Sequence, residues 1–192
     1  MSVNAGHEIE VKLKREVIAP FQRLGVTLEL TEPRHFEENI LFDTPDNQLQ
    51  SRLGVLRVRI VEGNGVLTYK APPLPGDAAS EFKKRIEIET SIGEPQQLIA
   101  ILTRLGYLQW FTYQKYRTVY RGHLPSGRSL WIMNDETPIG TFVELEGEEP
   151  VIREAVEMLG VTPDEYILLS YIALQAEHCQ RQGRQFEDMV FA

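Results

Sequence analysis

The sequence predicts an α+β fold built mainly from antiparallel sheet. Three observations carry this. Segments of apolar–polar alternation recur along most of the chain, turn signals join several of them, and segments with helical spacing are fewer and lie scattered between them. The first alternating segment is His7 to Leu13, with Ile9, Val11 and Leu13 on one face and Glu8, Glu10 and Lys12 on the other. A short helix is expected around Val17, Phe21 and Leu24, stopped by Gly25. Thr27 to Phe42 reads as a strand. Leu53 to Val61 and Val66 to Ala71 form two more, joined by the hairpin signal Gly63-Asn64-Gly65. Ala71 to Ser80 carries three prolines and a glycine, so it reads as a mobile loop with the position of a lid. Glu81 to Thr90 alternates again. Leu98, Ile101, Leu102 and Leu105 then take helical spacing between Pro95 and Gly106. Tyr107 to Arg121 is a long aromatic strand, turned by Pro125-Ser126-Gly127 into Arg128 to Asp135. Thr141 to Gly147 completes a set of about eight strands. Ile152, Ala155, Val156 and Leu159 mark a further helix before Gly160, with Glu148 and Glu149 favourably placed at its start. Thr162-Pro163 is expected to open a last helix running to about Gln182. One domain over residues 1–182 is expected, with a polar tail at 183–192 that frays.

The 192 residues are 42% apolar and 25% charged, enough to bury a core without disulfide or metal staples. No apolar run of ~18 residues is present to span a membrane. The opening MSVNAGHEIEVK lacks the apolar segment of a secretory signal. The one cysteine, Cys179, forms no internal disulfide and no cysteine-based zinc site. It falls with Leu168 and Ile172 on a helix face and should be packed. A cytoplasmic protein fits these features. The net charge of −8 argues against a nucleic-acid binder but not against a small anion in a local basic pocket. A monomer or a homodimer is compatible with all of this. His7, His35, His123 and His178 show no metal-binding spacing.

The unusual feature is charge at period two. Glu8, Glu10 and Lys12 share a face; so do Arg57 and Arg59, then Arg85, Glu87 and Glu89, then Lys115 and Arg117, then Glu144 and Glu146. As a solvated sheet face, each cross-strand pair would contribute a few tenths of a kcal/mol. Like charges at i and i+2 oppose folding unless opposite charge sits among them. If the sheet curls into a barrel, these faces converge on a polar lumen with the apolar sides under helices. Carboxylates suit a hard divalent cation, and guanidinium and ammonium groups suit phosphate oxygens. A metal–polyphosphate ligand uses both.

Glu8-Ile9-Glu10-Val11-Lys12 resembles the ExExK signature that opens CYTH-domain proteins. That family includes class IV adenylate cyclases, thiamine triphosphatases and inorganic tripolyphosphatases. The resemblance continues in family order through Phe42-Asp43-Thr44-Pro45 with Leu56-Arg57-Val58-Arg59, Leu67-Thr68-Tyr69-Lys70 and Lys84-Arg85-Ile86-Glu87-Ile88-Glu89. It extends through Lys115-Tyr116-Arg117, Asp135 with Gly140-Thr141-Phe142-Val143-Glu144-Leu145-Glu146, and Ser170-Tyr171. It implies a triphosphate tunnel, an eight-stranded antiparallel barrel with helices packed outside. It also implies Mg²⁺ or Mn²⁺ on Glu8, Glu10, Glu144 and Glu146, with Asp135 at the metal or its waters and Asn134 the alternative. Glu8, Glu10, Lys12, Glu144 and Glu146 would be catalytic. Lys12, Arg57, Arg59, Lys70, Arg85, Lys115 and Arg117 would grip phosphate. Arg85 is preferred to Lys84 because it shares a face with Glu87 and Glu89, which are either site carboxylates or partners of those cations. Arg181 and Arg184 are candidates for a basic residue near the last helix. The implied function is metal-dependent hydrolysis of a triphosphate-containing small molecule. The alternatives are cyclisation of ATP to cyclic AMP and pyrophosphate, or a triphosphate or polyphosphate sensor without turnover.

Overall fold

The computed structural model describes residues 6–73 and 80–192. The strands, in chain order, are β1 (Gly6–Leu13), β2 (Thr27–Asp43), β3 (Val55–Val61), β4 (Asn64–Ala71), β5 (Lys83–Ile92), β6 (Leu108–His123), β7 (Ser129–Thr137) and β8 (Gly140–Glu146). The helices are α1 (Ile18–Arg23), α2 (Gln48–Ser51), α3 (Pro95–Arg104), α4 (Glu149–Met158) and α5 (Tyr171–Arg181), with a 3₁₀ turn over Pro163–Glu165. The strands close into a barrel in the order β1-β5-β4-β3-β2-β6-β7-β8, and every neighbouring pair is antiparallel. The expected fold class is therefore the observed one. Closure rests on β1 pairing with both β5 and β8. Among the described residues every strand of the barrel therefore has a neighbour on both sides.

Alternation sends the apolar half of each strand outward, where helices cover it. Val11, Leu13, Ile132, Val143 and Leu145 pack beneath Val151, Ile152, Ala155 and Val156 of α4 and Phe21 of α1. Full burial of such a side chain contributes about 1.5–3 kcal/mol, and Ile152→Ala would cost about 2–5 kcal/mol. Ile40, Phe42 and Val58 pack beneath Leu102 of α3. A third cluster of Leu41, Phe111, Tyr113, Phe142, Tyr171, Leu174 and Met189 fills one end of the barrel.

The structure revises four expectations. The β3–β4 turn is Glu62-Gly63, one residue earlier than Gly63-Asn64-Gly65. Both turn residues have positive φ (48° and 83°), the conformation a two-residue hairpin with the strands' twist demands. The expected helix from Thr162 to Gln182 is broken after Glu165. Ile167 instead exchanges two backbone hydrogen bonds with Lys12, and Ser170 restarts the helix by accepting the Ala173 N–H. Residues 183–192 do not fray. Met189 bonds through its N–H and C=O to the β6 residues Thr112 and Gln114, and it is 1% exposed. The part of β6 beyond the reach of β7 would otherwise leave those groups unpaired. α2 was not foreseen; Asp43 fixes it by accepting the Leu49 and Gln50 N–H groups. Positions 74–79 of the expected lid lie outside the described residues.

Candidate active site

The polar half of each strand points into the barrel, and the register decides which charges meet. Glu10 lies opposite Lys83 on one side and Glu146 on the other. Lys12 lies opposite Glu144, Lys70 opposite Glu87, and Arg117 opposite Asp135. A cavity of about 290 Å³ runs inside. Glu8, Glu10, Lys12, Arg57, Arg59, Lys70, Arg85, Lys115, Arg117, Glu144 and Glu146 all line it.

The acidic bank spans β1 and β8. Glu8 takes two bonds from Lys70 Nζ at 2.6 and 2.7 Å, and Glu10 takes one from Lys83 Nζ at 2.5 Å. Glu144 holds Lys12 at 2.8 Å and Arg117 at 2.5 Å. Burial pushes the Glu10 carboxyl up, but Lys12, Lys83 and Lys70 outweigh it and bring it down to about 2. Burial likewise opposes ionisation of Glu144, yet Lys12 and Arg117 hold it well below the usual range. Glu146 goes the other way. Burial, then repulsion from Glu8 and Glu10, raise it to about 7. Among the described residues Glu146 has no ion-pair partner.

The basic bank lies across the lumen. Arg57 donates to Tyr113 Oη and Thr68 Oγ1, each at 3.0 Å, and to Glu89 at 3.4 Å. Arg59 is loosely held, 3.8 Å from Glu37 and 4.0 Å from Glu89. Lys115 sits 2.9 Å from Asp135 and 3.5 Å from Glu37. Arg85 does line the cavity, bonded to the Ala71 and Leu53 carbonyls, while Lys84 turns outward to Glu149. Glu87 and Glu89 sit beside these cations. Burial, with Glu8 and Glu89, raises Glu87 to about 7 against Lys70 and Arg57.

Asp135 occupies a different place. It is fully buried and does not open on the cavity. Its two oxygens accept from Arg117 Nε and Nη2 at 2.6 Å each, from Lys115 Nζ at 2.9 Å and from Tyr171 Oη at 2.7 Å. It braces the basic bank from behind. Tyr171, at the start of α5, also lays its ring 4.9 Å from Lys12 Nζ and 5.3 Å from Lys115 Nζ. Asn134, of opposite parity on β7, does not line the cavity, nor do Arg181 and Arg184 of the last segment.

Three polar residues of the interior escaped sequence reasoning, of which Glu37 and Lys83 line the cavity. Glu37 and Asn39 on β2 are buried, and both Asn39 side-chain polar atoms lack a partner. Bulges at Leu30/Glu32, Glu32/His35 and Leu41/Phe42 interrupt the alternation of β2, so parity counted from either end fails there. Lys83 had the parity of Arg85, which was a usable signal, but its place beside Glu10 depends on the barrel register.

Among the described residues no three acidic groups close on one point to form a ready cation cage. The donor chemistry nevertheless fits a hard divalent ion. The bank offers only carboxylate oxygens, from adjacent strands, and it includes an unpaired and repelled Glu146. An ion there would displace Lys70 and Lys83 from Glu8 and Glu10.

Comparison with known proteins agrees with this fold. A Methanocaldococcus jannaschii protein named as a candidate adenylate cyclase is 28% identical over 180 residues, covering 88% of this chain and 97% of its own. A solved Pyrococcus horikoshii protein is 27% identical, with a TM-score of 0.66 over 89% of this chain and 99% of its own. A Hippeastrum adenylyl cyclase candidate, whose structure is described as revealing a dominant triphosphatase activity, shares the fold with a TM-score of 0.58. It is 21% identical, over 93% of this chain and 96% of its own. The CYTH domain profile matches residues 6–159, the stretch that contains the whole barrel, and the chain belongs to the CYTH domain family.

Proposed function

We propose that this tunnel hydrolyses a triphosphate with the help of a divalent cation, Mg²⁺ or Mn²⁺. The observation that carries the reading is the pair of opposed banks inside one closed barrel, carboxylates on β1 and β8 facing guanidinium and ammonium groups on β3 and β6. Glu8, Glu10, Glu144 and Glu146 would hold the cation. When bound, it would neutralise phosphate charge and orient the nucleophile. Arg57, Arg59, Lys115 and Arg117 would bind the phosphoryl oxygens, and Lys12 and Lys70, now paired with Glu144 and Glu8, would be free to join them if those carboxylates held the cation. Arginine forks stabilise the charge that builds on the transferring phosphoryl group. Asp135 and Tyr171 keep Lys115 and Arg117 aimed, so the grip costs little reorganisation. The single buried cysteine suits a reducing cytoplasm.

Cyclisation of ATP is the second reading, favoured by the name of the M. jannaschii relative. Both chemistries use the same banks; they differ in which phosphorus meets the nucleophile. A product assay with Mg²⁺ or Mn²⁺ across tripolyphosphate, thiamine triphosphate and ATP separates them. Release of free phosphate supports hydrolysis. Cyclic AMP with pyrophosphate supports the second reading, and saturable binding without product marks a sensor. No binding of any triphosphate overturns the tunnel reading.

A further inference from the structure

Apart from the apolar groups at the α5 end, Leu41, Val55, Tyr113, Tyr171 and Ile172, the charged lumen has a second apolar stretch. Val119 on β6 and Met133 on β7 face each other in register and line the cavity. One step further out, Trp131 lies opposite Arg121 on β6 and Glu146 on β8. The Arg121 guanidinium stands 4.7 Å from the centroid of the Trp131 ring, and Ser129 Oγ fixes it at 2.6 Å. The indole remains 38% exposed, so the stack is open to a further ring. A second cleft, of about 490 Å³, adjoins the tunnel here and shares Trp131 and Glu146 with it.

The two ends of the barrel are unlike. The end with Tyr113 and Phe142 is filled by the apolar cluster under α5, while Trp131 and Arg121 belong to the other. Arg117 and Arg121 are four residues apart on one strand, about 13 Å at the rise of an extended chain. A triphosphate gripped at Arg117 and Lys115 therefore leads towards Trp131 past the acidic bank. Valine and methionine give phosphate oxygens no donor, and tryptophan offers only its single Nε1–H. An indole stacked with a guanidinium is instead a surface for a flat heterocycle, because every such ring has a π-face.

We infer that Trp131 and Arg121 form the platform for the organic end of the substrate, so that this chain selects a triphosphate carrying an aromatic heterocycle over inorganic tripolyphosphate. The inference rests on the triphosphate reading above and names its substrate class.

The test uses the chain with Trp110→Phe, which leaves Trp131 as the only tryptophan. ATP and thiamine triphosphate, each with Mg²⁺, are titrated against its fluorescence, with tripolyphosphate as control. The expected result is quenching by at least one heterocyclic ligand and none by tripolyphosphate. In calorimetry, Trp131→Ala should weaken that ligand roughly ten-fold or more, in line with the loss of one stacked ring. Tripolyphosphate affinity should stay within about two-fold of the parent, since stacking is all that is removed. The arm that responds identifies the ring as a purine or as the thiamine heterocycle. If the parent binds all three ligands and Trp131→Ala changes them alike, or changes none, the platform is wrong while the triphosphate reading stands. If the parent binds none of them, both fall together.

Discussion

Asp135→Asn is the sharpest test of how the basic bank is held. The native carboxylate receives two bonds from Arg117, one from Lys115 and one from Tyr171, all at 2.6–2.9 Å and without exposure to water. The amide keeps nearly the same shape but loses the charge, and its NH₂ points donors at groups that are themselves donors. Breaking a buried pair from one side costs about 3–5 kcal/mol, because the remaining cation has lost its partner in a low-dielectric site. Glu144 and Glu37 stay near Arg117 and Lys115, which places the expectation at the lower end, about 3 kcal/mol. For a chain of this size each kcal/mol moves Tm by about 2–4 °C, so the ligand-free variant should melt roughly 6–12 °C lower. Tripolyphosphate would supply negative charge to the same two cations. Its addition should therefore raise Tm more in the variant than in the parent. The assay is a pair of thermal melts, with and without the anion. A variant that melts within about 2 °C of the parent would refute the brace. A variant that keeps its Tm but loses Mn²⁺ binding would instead make Asp135 a metal ligand.

Other expectations follow from the same geometry. Arg59 is loosely paired, so Arg59→Ala should leave the ligand-free Tm nearly unchanged yet weaken tripolyphosphate by about 10–150-fold, the worth of one charge-assisted contact; unchanged affinity by calorimetry would remove it from the grip. Glu8→Gln should lower turnover by orders of magnitude at limiting Mg²⁺, with partial recovery at high Mn²⁺, and equal turnover at limiting metal would sink the cation assignment. The ligand-free protein should lose stability as pH rises from 5 to 8. Glu87 and Glu146 bind protons more tightly when folded, at about 7, than when unfolded, so ionising them opposes folding. His35, whose pKa its Glu37 contact raises against burial, acts in the same direction as it loses its proton. Melts across that range that stay flat or climb would contradict the buried, like-charged surroundings of these carboxyls. Removing residues 184–192 should destabilise the fold by several kcal/mol, because buried Met189 and the β6 hydrogen bonds leave with them; a truncated chain with an unchanged melt would show the segment to be dispensable.

Much of the site was legible because alternation is a local property. Arg57 and Arg59, or Glu144 and Glu146, share a face whatever the barrel does, and closure only adds that the faces meet. The CYTH resemblance carried the rest of the assignment, while parity alone chose Arg85 over Lys84. What stayed hidden depends on distant partners. Asp135 reads as one more carboxylate until the register sets Arg117 opposite it and α5 brings Tyr171 over it. The break in the last helix is invisible locally, since helical spacing continues through Ile167; the backbone of Lys12 decides it. The packing of residues 183–192 was masked by their polarity, with Met189 as the only buried anchor among them.

Closure of the barrel through β1 also bears on how the chain reaches its native state. Lys12 and Glu144 are neighbours in the sheet although roughly 130 residues separate them. During synthesis the first strand can pair with β5 once that strand is made, but its other edge must wait for β8, and contacts of such range are slow to form. An exposed strand with an apolar face is an invitation to aggregate. Glu8, Glu10 and Lys12 alternate with that face, and charges so placed are the usual guard against edge-to-edge association. The residues that line the finished tunnel thus have an earlier task, keeping a nascent strand soluble until its last partner arrives.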